Sequence, residues 1–290
     1  MDLEYSWLKK RIREISGIDL NSYRPEQMKR LMDKAIEKSG AKNYVQFVKS
    51  LENNPERIQD FRDSITINVS YLFRDAARWA DLETVLTGYV KQRGEEATGT
   101  GGTSESVSLK MWSAGCSIGA EPYTLAMISE NIAEKLTLVK FKYHILCTDI
   151  DNTMLNRARQ GVFTEKEAKE VPTDILEKYF VGTGNPGVKE LETSSSPYFY
   201  KAIPGLKARM VFRNHNMLSD NWESNYDVIV CRNVMIYFTT EIKERLFHNF
   251  GSALRENGIL FIGGTEVIFK PAEYGLKNEK AGIYRKIQKL

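Results

Sequence analysis

The feature that most constrains this chain is a run of short apolar segments that alternate with helical ones from Val107 onward. Val107–Trp112, Phe141–Asp149, Asp227–Cys231 and Ile259–Gly263 read as strands. The segments near 121–136, 153–160 and 241–255 carry helical periodicity, the last ended by Asn257-Gly258. Asp-Val-Ile-Val-Cys at 227–231 has no polar alternation, as expected of a strand covered on both faces. Strands alternating with helices predict a mostly parallel sheet with helices on both sides, an α/β, Rossmann-like fold. Gly282–Lys286 reads as a last strand.

Before this lies a stretch of another kind. Residues 1–75 predict an N-terminal all-helical domain of four short helices, and residues 76–290 the α/β domain. Leu3, Trp7, Ile12 and Ile15 are read as the first helix's apolar stripe, stopped near Gly17. Pro25 opens a second helix and Gly40 closes it, and Asn54-Pro55 opens a fourth. Ala76–Gln92 reads as a further helix. Residues 93–106 are poor in large apolar residues and rich in glycine, which predicts a flexible loop. Residues about 180–212 break the strand–helix rhythm and predict a small inserted antiparallel β-subdomain.

The chain has 290 residues and a formal net charge of only +3, which disfavours a nucleic-acid partner. Cys116, Cys147 and Cys231 have no metal-binding or disulfide spacing, so no metal is expected and buried thiols are. No secretory signal and no apolar run of membrane-spanning length is read. The expectation is a cytoplasmic, monomeric protein with no direct membrane insertion.

In an open parallel sheet, ligands bind beyond the carboxyl ends of the strands. Ser113-Ala114-Gly115-Cys116-Ser117-Ile118-Gly119-Ala120-Glu121-Pro122 follows the first strand, and its small residues allow close backbone approach to a ligand. Asp149 ends the second strand, where a carboxylate accepts hydrogen bonds from a ribose diol. Neither a dinucleotide fingerprint nor a Walker loop is present, so a nucleoside ligand without a pyrophosphate fits better. A tight turn that binds nothing is the competing reading.

Six segments in order resemble the chemotaxis receptor glutamate methyltransferase family, CheR. They are Thr66–Asp75, Trp112–Ala126, Thr148–Asp151 with Ala158–Gly161, Asn216–Leu218, Asp227–Phe238, and Gly263–Glu266. The family patterns are N-x-T/S-x-F-F-R-D for the first, W-S-A-G-C-S-T-G-E-E-P-Y-S/T-L-A for the second and F-D-x-I-x-C-R-N-V-L-I-Y-F for the fifth. This chain departs at Leu72, and at Ala120, where the family has an acid. The resemblance implies an S-adenosylmethionine methyltransferase that yields S-adenosylhomocysteine and glutamate methyl esters on a receptor. It implies cofactor contacts from Asn68, Ser70, Arg74, Glu121, Asp149, Asn216, Met217, Arg232 and Asn233. Arg74 and the backbone at Ala114 suit the methionine end, and Asn216 and Met217 suit the adenine.

The residues also admit structural readings. Asn68 and Ser70 can cap a helix, Arg74 and Asp75 can form a solvated pair, and Arg232 can sit in a hidden ion pair. His144, His215 and His248 are read as structural or surface residues. A glutamate nucleophile is ionised at neutral pH, so the reaction needs no general base. Arg74 and Tyr237 are the candidate catalytic groups. Arg24, Lys29, Arg30 and Lys34 are read as one basic helix face that docks the acidic cytoplasmic coiled coil of a methyl-accepting chemotaxis receptor. In some family members the β-subdomain holds the receptor's C-terminal tail. The rival readings are a nucleic-acid or small-molecule methylase, and a non-catalytic S-adenosylmethionine-binding sensor or scaffold.

Overall fold

A computed structural model of the chain describes residues 3–65, 69–98, 106–138, 140–183 and 199–287. Asn68, residues 99–105 of the expected loop and residues 184–198 of the expected β-subdomain lie outside these residues, and Ser106, the last residue of that expected loop, already begins a strand. The chain divides into two compact units, Met1–Asn68 with Val234–Arg245, and Val69–Asn233 with Leu246–Leu290.

The first unit holds α1 (Leu3–Ser16), α2 (Pro25–Ser39), α3 (Tyr44–Leu51) and α4 (Pro55–Ile65). Their ends follow from local chemistry. Pro25 occupies the first turn of α2, and Gly40 at φ 73° closes it. Asn43 and Asn54 cap α3 and α4 by accepting from the Gln46 and Arg57 amides. The stripe expected on α1 is corrected. Leu8, Ile12 and Ser16 are buried, whereas Leu3 and Trp7 are exposed. At 100° per residue, Leu3 and Trp7 fall well away from the Leu8–Ile12 face. The segment Val234–Arg245 joins this unit through the backbone: the Arg24 amide donates to Tyr237 O at 2.9 Å, and the Thr239 amide to Ser22 O at 3.0 Å.

The second unit is built in chain order from α5 (Ala76–Thr98), β1 (Ser106–Ala114), α6 (Ala120–Lys135), β2 (Lys140–Asp149), α7 (Asn152–Gln160), β3 (Val162–Thr164), α8 (Glu165–Ala168), α9 (Thr173–Tyr179), β4 (Phe180–Thr183), β5 (Phe199–Ala202), α10 (Pro204–Lys207), β6 (Met210–Asn214) and β7 (Tyr226–Cys231). α11 (Thr240–Ala253), β8 (Leu254–Ile262), β9 (Leu276–Lys280) and β10 (Ile283–Lys286) complete the chain. The main sheet has seven strands in the order β6-β2-β1-β7-β8-β10-β9. Its first five strands run parallel, and β10 and β9 add antiparallel hairpin strands at one edge. Every residue of the central strand β7 is buried. No helix among the described residues is long and apolar enough to cross a membrane.

Three element expectations are corrected. α5 continues to Thr98, into the segment read as a loop from residue 93. Gly94 costs a helix only about 1 kcal/mol, and Arg93 Nε lies 3.6 Å from Asp227, which fastens that turn to the sheet. α11 ends at Ala253, and Arg255 to Asn257 belong to β8, where Asn257 at φ 61° forms a bulge against β7. Met210–Phe212 is not part of the inserted subdomain but pairs with β2 in the main sheet. The small antiparallel sheet is β3-β5-β4, and it recruits Val162–Thr164 instead.

Candidate active site

The carboxyl ends of β2, β1 and β7 are tied together by backbone amides that donate to acids. After Ala114 the chain turns through Gly115 (φ 79°), Ser117 (φ 47°) and Gly119 (φ 88°). The Gly115 and Cys116 amides both donate to Thr148 O, at 2.8 and 2.9 Å, so the loop wraps the end of β2. A Cβ on Gly119 would stand 3.0 Å from the Ala158 Cβ, so a larger residue would separate this loop from α7. Asp149 accepts the Ser117 amide at 2.8 Å on one carboxylate oxygen and the Asp151 amide at 2.9 Å on the other. Burial nevertheless pushes its pKa up to about 6, against the pull of those amides. Glu121, in the first turn of α6, accepts the Ser113 hydroxyl at 2.8 Å. Burial raises it to about 7, and the nearby Arg232 cation only partly offsets this. Two carboxylates thus line the strand ends with less compensation than their charges require. Burial also raises the Cys116, Cys147 and Cys231 thiols, which keeps them neutral.

The end of β7 fixes two further segments. Arg232 is buried; it donates to Arg74 O at 2.8 Å and to the Asp75 carboxylate at 2.7 Å. Its guanidinium stacks 4.8 Å from the Phe261 ring and 5.2 Å from Trp79. The solvated Arg74–Asp75 pair is therefore overturned: Asp75 pairs with Arg232, and Arg74 Nη1 donates to Val69 O at 2.7 Å. Phe73 and Asp75 hold φ of 54° and 60°, a sharp corner that the Arg232 contacts brace. Next in sequence, the Asn233 amide (φ 59°) donates to Glu266 Oε2 at 2.8 Å, and the Gly263 amide donates to the same oxygen at 2.7 Å. Sequence reasoning quoted Glu266 within a motif and gave it no role. An acid three residues past a strand-ending glycine is the signal that finds it.

Beyond β6, the His215 amide donates to Asp149 O and the Asn214 side chain to Ile150 O. Asn216 Oδ1 accepts the Leu218 amide, and the Asn216 amide donates to Asp220, whose pKa it lowers. Asn216 is left with its side-chain amide nitrogen as a donor, and Met217 is half-buried beside it.

Residues 68–282 match the family described as CheR methyltransferase, SAM binding domain, and residues 3–66 match its all-alpha domain. The chain belongs to the CheR methyltransferase family. It is 34% identical over 276 residues to the chemotaxis protein methyltransferase of Listeria monocytogenes, covering 95% of this chain and 94% of that one. The namesakes of Borreliella burgdorferi (30% identical, 91% and 88% covered) and Escherichia coli (26%, 91% and 84%) match at similar length.

As a CheR-family protein, the chain is an S-adenosylmethionine-dependent methyltransferase, and its residues fit that cofactor. A ribose diol, a base with ring-nitrogen acceptors and a cationic amino-acid end call for two under-compensated acids and a turn with an amide donor. Asp149, Glu121 and the Asn216–Met217 turn supply these. Ser70, Arg74, Ala114, Arg232 and Asn233 share the same unit. Two of Arg232's nitrogens are committed to Arg74 and Asp75, so its first task here is to hold the 73–75 corner. Tyr237 lies in the other unit, in a single 3-10 turn beside the start of α2. Arg24, Lys29, Arg30 and Lys34 are all exposed there. The face they form is mixed rather than purely basic, because Lys29 pairs with Asp33 at 3.0 Å.

Proposed function

We propose that this chain transfers a methyl group to glutamate side chains on the cytoplasmic coiled coil of methyl-accepting chemotaxis receptors, working as a monomer. The observation that carries the reading is the match to chemotaxis protein methyltransferases along nearly the whole chain, helical domain included. When bound, S-adenosylmethionine supplies an electrophilic methyl group on a sulfonium. Asp149 holds the ribose diol, Glu121 faces the cationic amino-acid end, and Asn216 and Met217 engage the adenine. Asn68, Ser70, the Ala114 backbone and Asn233 complete the cradle. The target glutamate is already an anion at neutral pH, so the site's task is positioning rather than proton removal. Arg74 orients the incoming carboxylate, and Tyr237 is the second polar group at the reaction. Arg24, Lys29, Arg30 and Lys34 dock the acidic receptor, Lys29 by exchanging Asp33 for a receptor acid.

The test is a labelled-methyl assay on receptor-rich membranes with alkaline release. Base-labile label is expected. Tight cofactor binding with no base-labile label would instead support a sensor.

A further inference from the structure

The ladder between β7 and β8 ends at the pair Cys231 and Ile262. Beyond it, the Asn233 and Gly263 amides need other acceptors. Glu266 supplies both. Its side chain is buried, and one carboxylate oxygen accepts the Gly263 amide at 2.7 Å and the Asn233 amide at 2.8 Å. The first bond is local. It closes the turn in which the Glu266 amide donates back to Gly263 O at 2.9 Å. The second bond reaches 33 residues back along the chain and holds Asn233 in left-handed backbone at φ 59°. Closing the turn does not require it. The packing leaves no slack: a Cβ on Gly263 would stand 2.6 Å from the Glu266 carboxylate, 3.0 Å from the Asn233 backbone nitrogen and 3.2 Å from the Asn233 side-chain nitrogen. The Asn233 side chain therefore lies over Gly263, on a backbone that Glu266 fixes.

The preceding amide is held from the other side, where Glu121 accepts the Arg232 N–H. β7 lies between β1, which leads to Glu121, and β8, which leads to Glu266. Consecutive amides at the end of β7 are thus clamped by two buried acids, one following each neighbouring strand. The charge of Glu266 is felt at Glu121, where it opposes ionisation. A neutral acceptor could close a turn without that repulsion, but a carboxylate makes the stronger bonds to the amides.

We infer that Glu266 is a positioning residue for the methyl donor: it fixes Asn233 in left-handed backbone so that the Asn233 side chain meets the cofactor. The inference rests on the reading of Asn233 as a cofactor contact. Glu266 acts through Asn233 and does not itself contact the cofactor. Releasing the Asn233 amide lets the corner relax toward the right-handed backbone that non-glycine residues prefer, and carries the side chain out of place.

The test is a double-variant cycle read by calorimetric titration with S-adenosylhomocysteine. Glu266→Asp draws the carboxylate back by one carbon–carbon bond, about 1.5 Å, and breaks both amide contacts. Glu266→Gln keeps a carbonyl acceptor in place. Asn233→Gly removes the side chain and adopts the same φ without strain. Glu266→Asp and Asn233→Gly should each weaken binding about three- to tenfold, the worth of one hydrogen bond. Glu266→Gln should lose less, about twofold. With residue 233 already glycine, Glu266→Asp should cost no further affinity, because no side chain is left to misplace. A lower melting temperature for Glu266→Asp follows from turn closure alone as well, so affinity decides. Equal binding by Glu266→Asp and wild type, with Asn233→Gly weakened, would overturn the positioning role and leave the Asn233 contact standing. Losses that multiply in the double variant would overturn it too, because Glu266 would then act by another route. Binding by Asn233→Gly as tight as wild type would sink the contact reading and the inference with it.

Discussion

Replacing Glu121 by glutamine tests whether the site holds an acid in reserve for a cationic ligand. The carboxyl moves from its ordinary 4.5 to about 7 because burial disfavours the charge more than Arg232 and the Ser113 hydroxyl favour it. Between those values the folded protein keeps a proton that the unfolded chain has lost, so stability without ligand falls as pH rises through that window. Each tenfold in proton affinity is worth about 1.4 kcal/mol, so the loss by pH 8 is at most about 3 kcal/mol. At about 2–4 °C per kcal/mol, the ligand-free wild type should melt as much as roughly 6–12 °C below Glu121→Gln at pH 8 and close to it near pH 5. Cofactor binding should run the other way. A cationic group restores the ionised form, so wild-type affinity should fall by up to about tenfold per pH unit below 7, while the variant binds weakly with a flatter profile. The assays are thermal melts and calorimetric titration at pH 5 to 8. Parallel melting curves for the two proteins, or undiminished cofactor affinity in Glu121→Gln, would refute the reasoning.

Other outcomes follow from the same contacts. Arg74→Ala should abolish methyl transfer while leaving the melting temperature within about 1–2 °C, since the side chain makes one hydrogen bond to Val69 O; near-normal turnover sinks its catalytic assignment. Asp75→Ala strands the buried Arg232 guanidinium, and with Asp75 itself half-exposed the cost in a denaturant titration should be about 1–2 kcal/mol, accompanied by weaker cofactor binding. Lys29→Glu with Arg30→Glu should raise the receptor KM and leave cofactor affinity unchanged in a direct titration; an unchanged receptor KM removes this face from docking.

Where local pattern decided an element, the chain could be read directly. Asp227–Cys231 is apolar throughout because β7 is covered on both faces, and Asp149 is recognisable because a strand-ending acid follows an alternating strand. Where a partner far along the chain decided it, the reading went astray. Arg93 holds the helix past Gln92 by reaching Asp227, and Met210–Phe212 belongs to the main sheet because β2, some 65 residues earlier, offers a free edge. The site shows the same division. Asp149 and Glu121 stand in recognisable motifs. The bracing of Asp75 by Arg232, and of Asn233 and Gly263 by Glu266, depends on left-handed backbone at Asp75 and Asn233 that no local pattern announces.

The central claim is that a receptor glutamate receives the methyl group. Tandem mass spectrometry of receptor peptides after incubation with the enzyme and S-adenosylmethionine addresses it most directly. The account predicts one added methyl group on glutamate side chains of the cytoplasmic coiled coil, removed by mild alkali and absent with Arg74→Ala. Methyl groups found only on lysine, on nucleic acid or on small molecules, with every receptor glutamate unmodified, would contradict it.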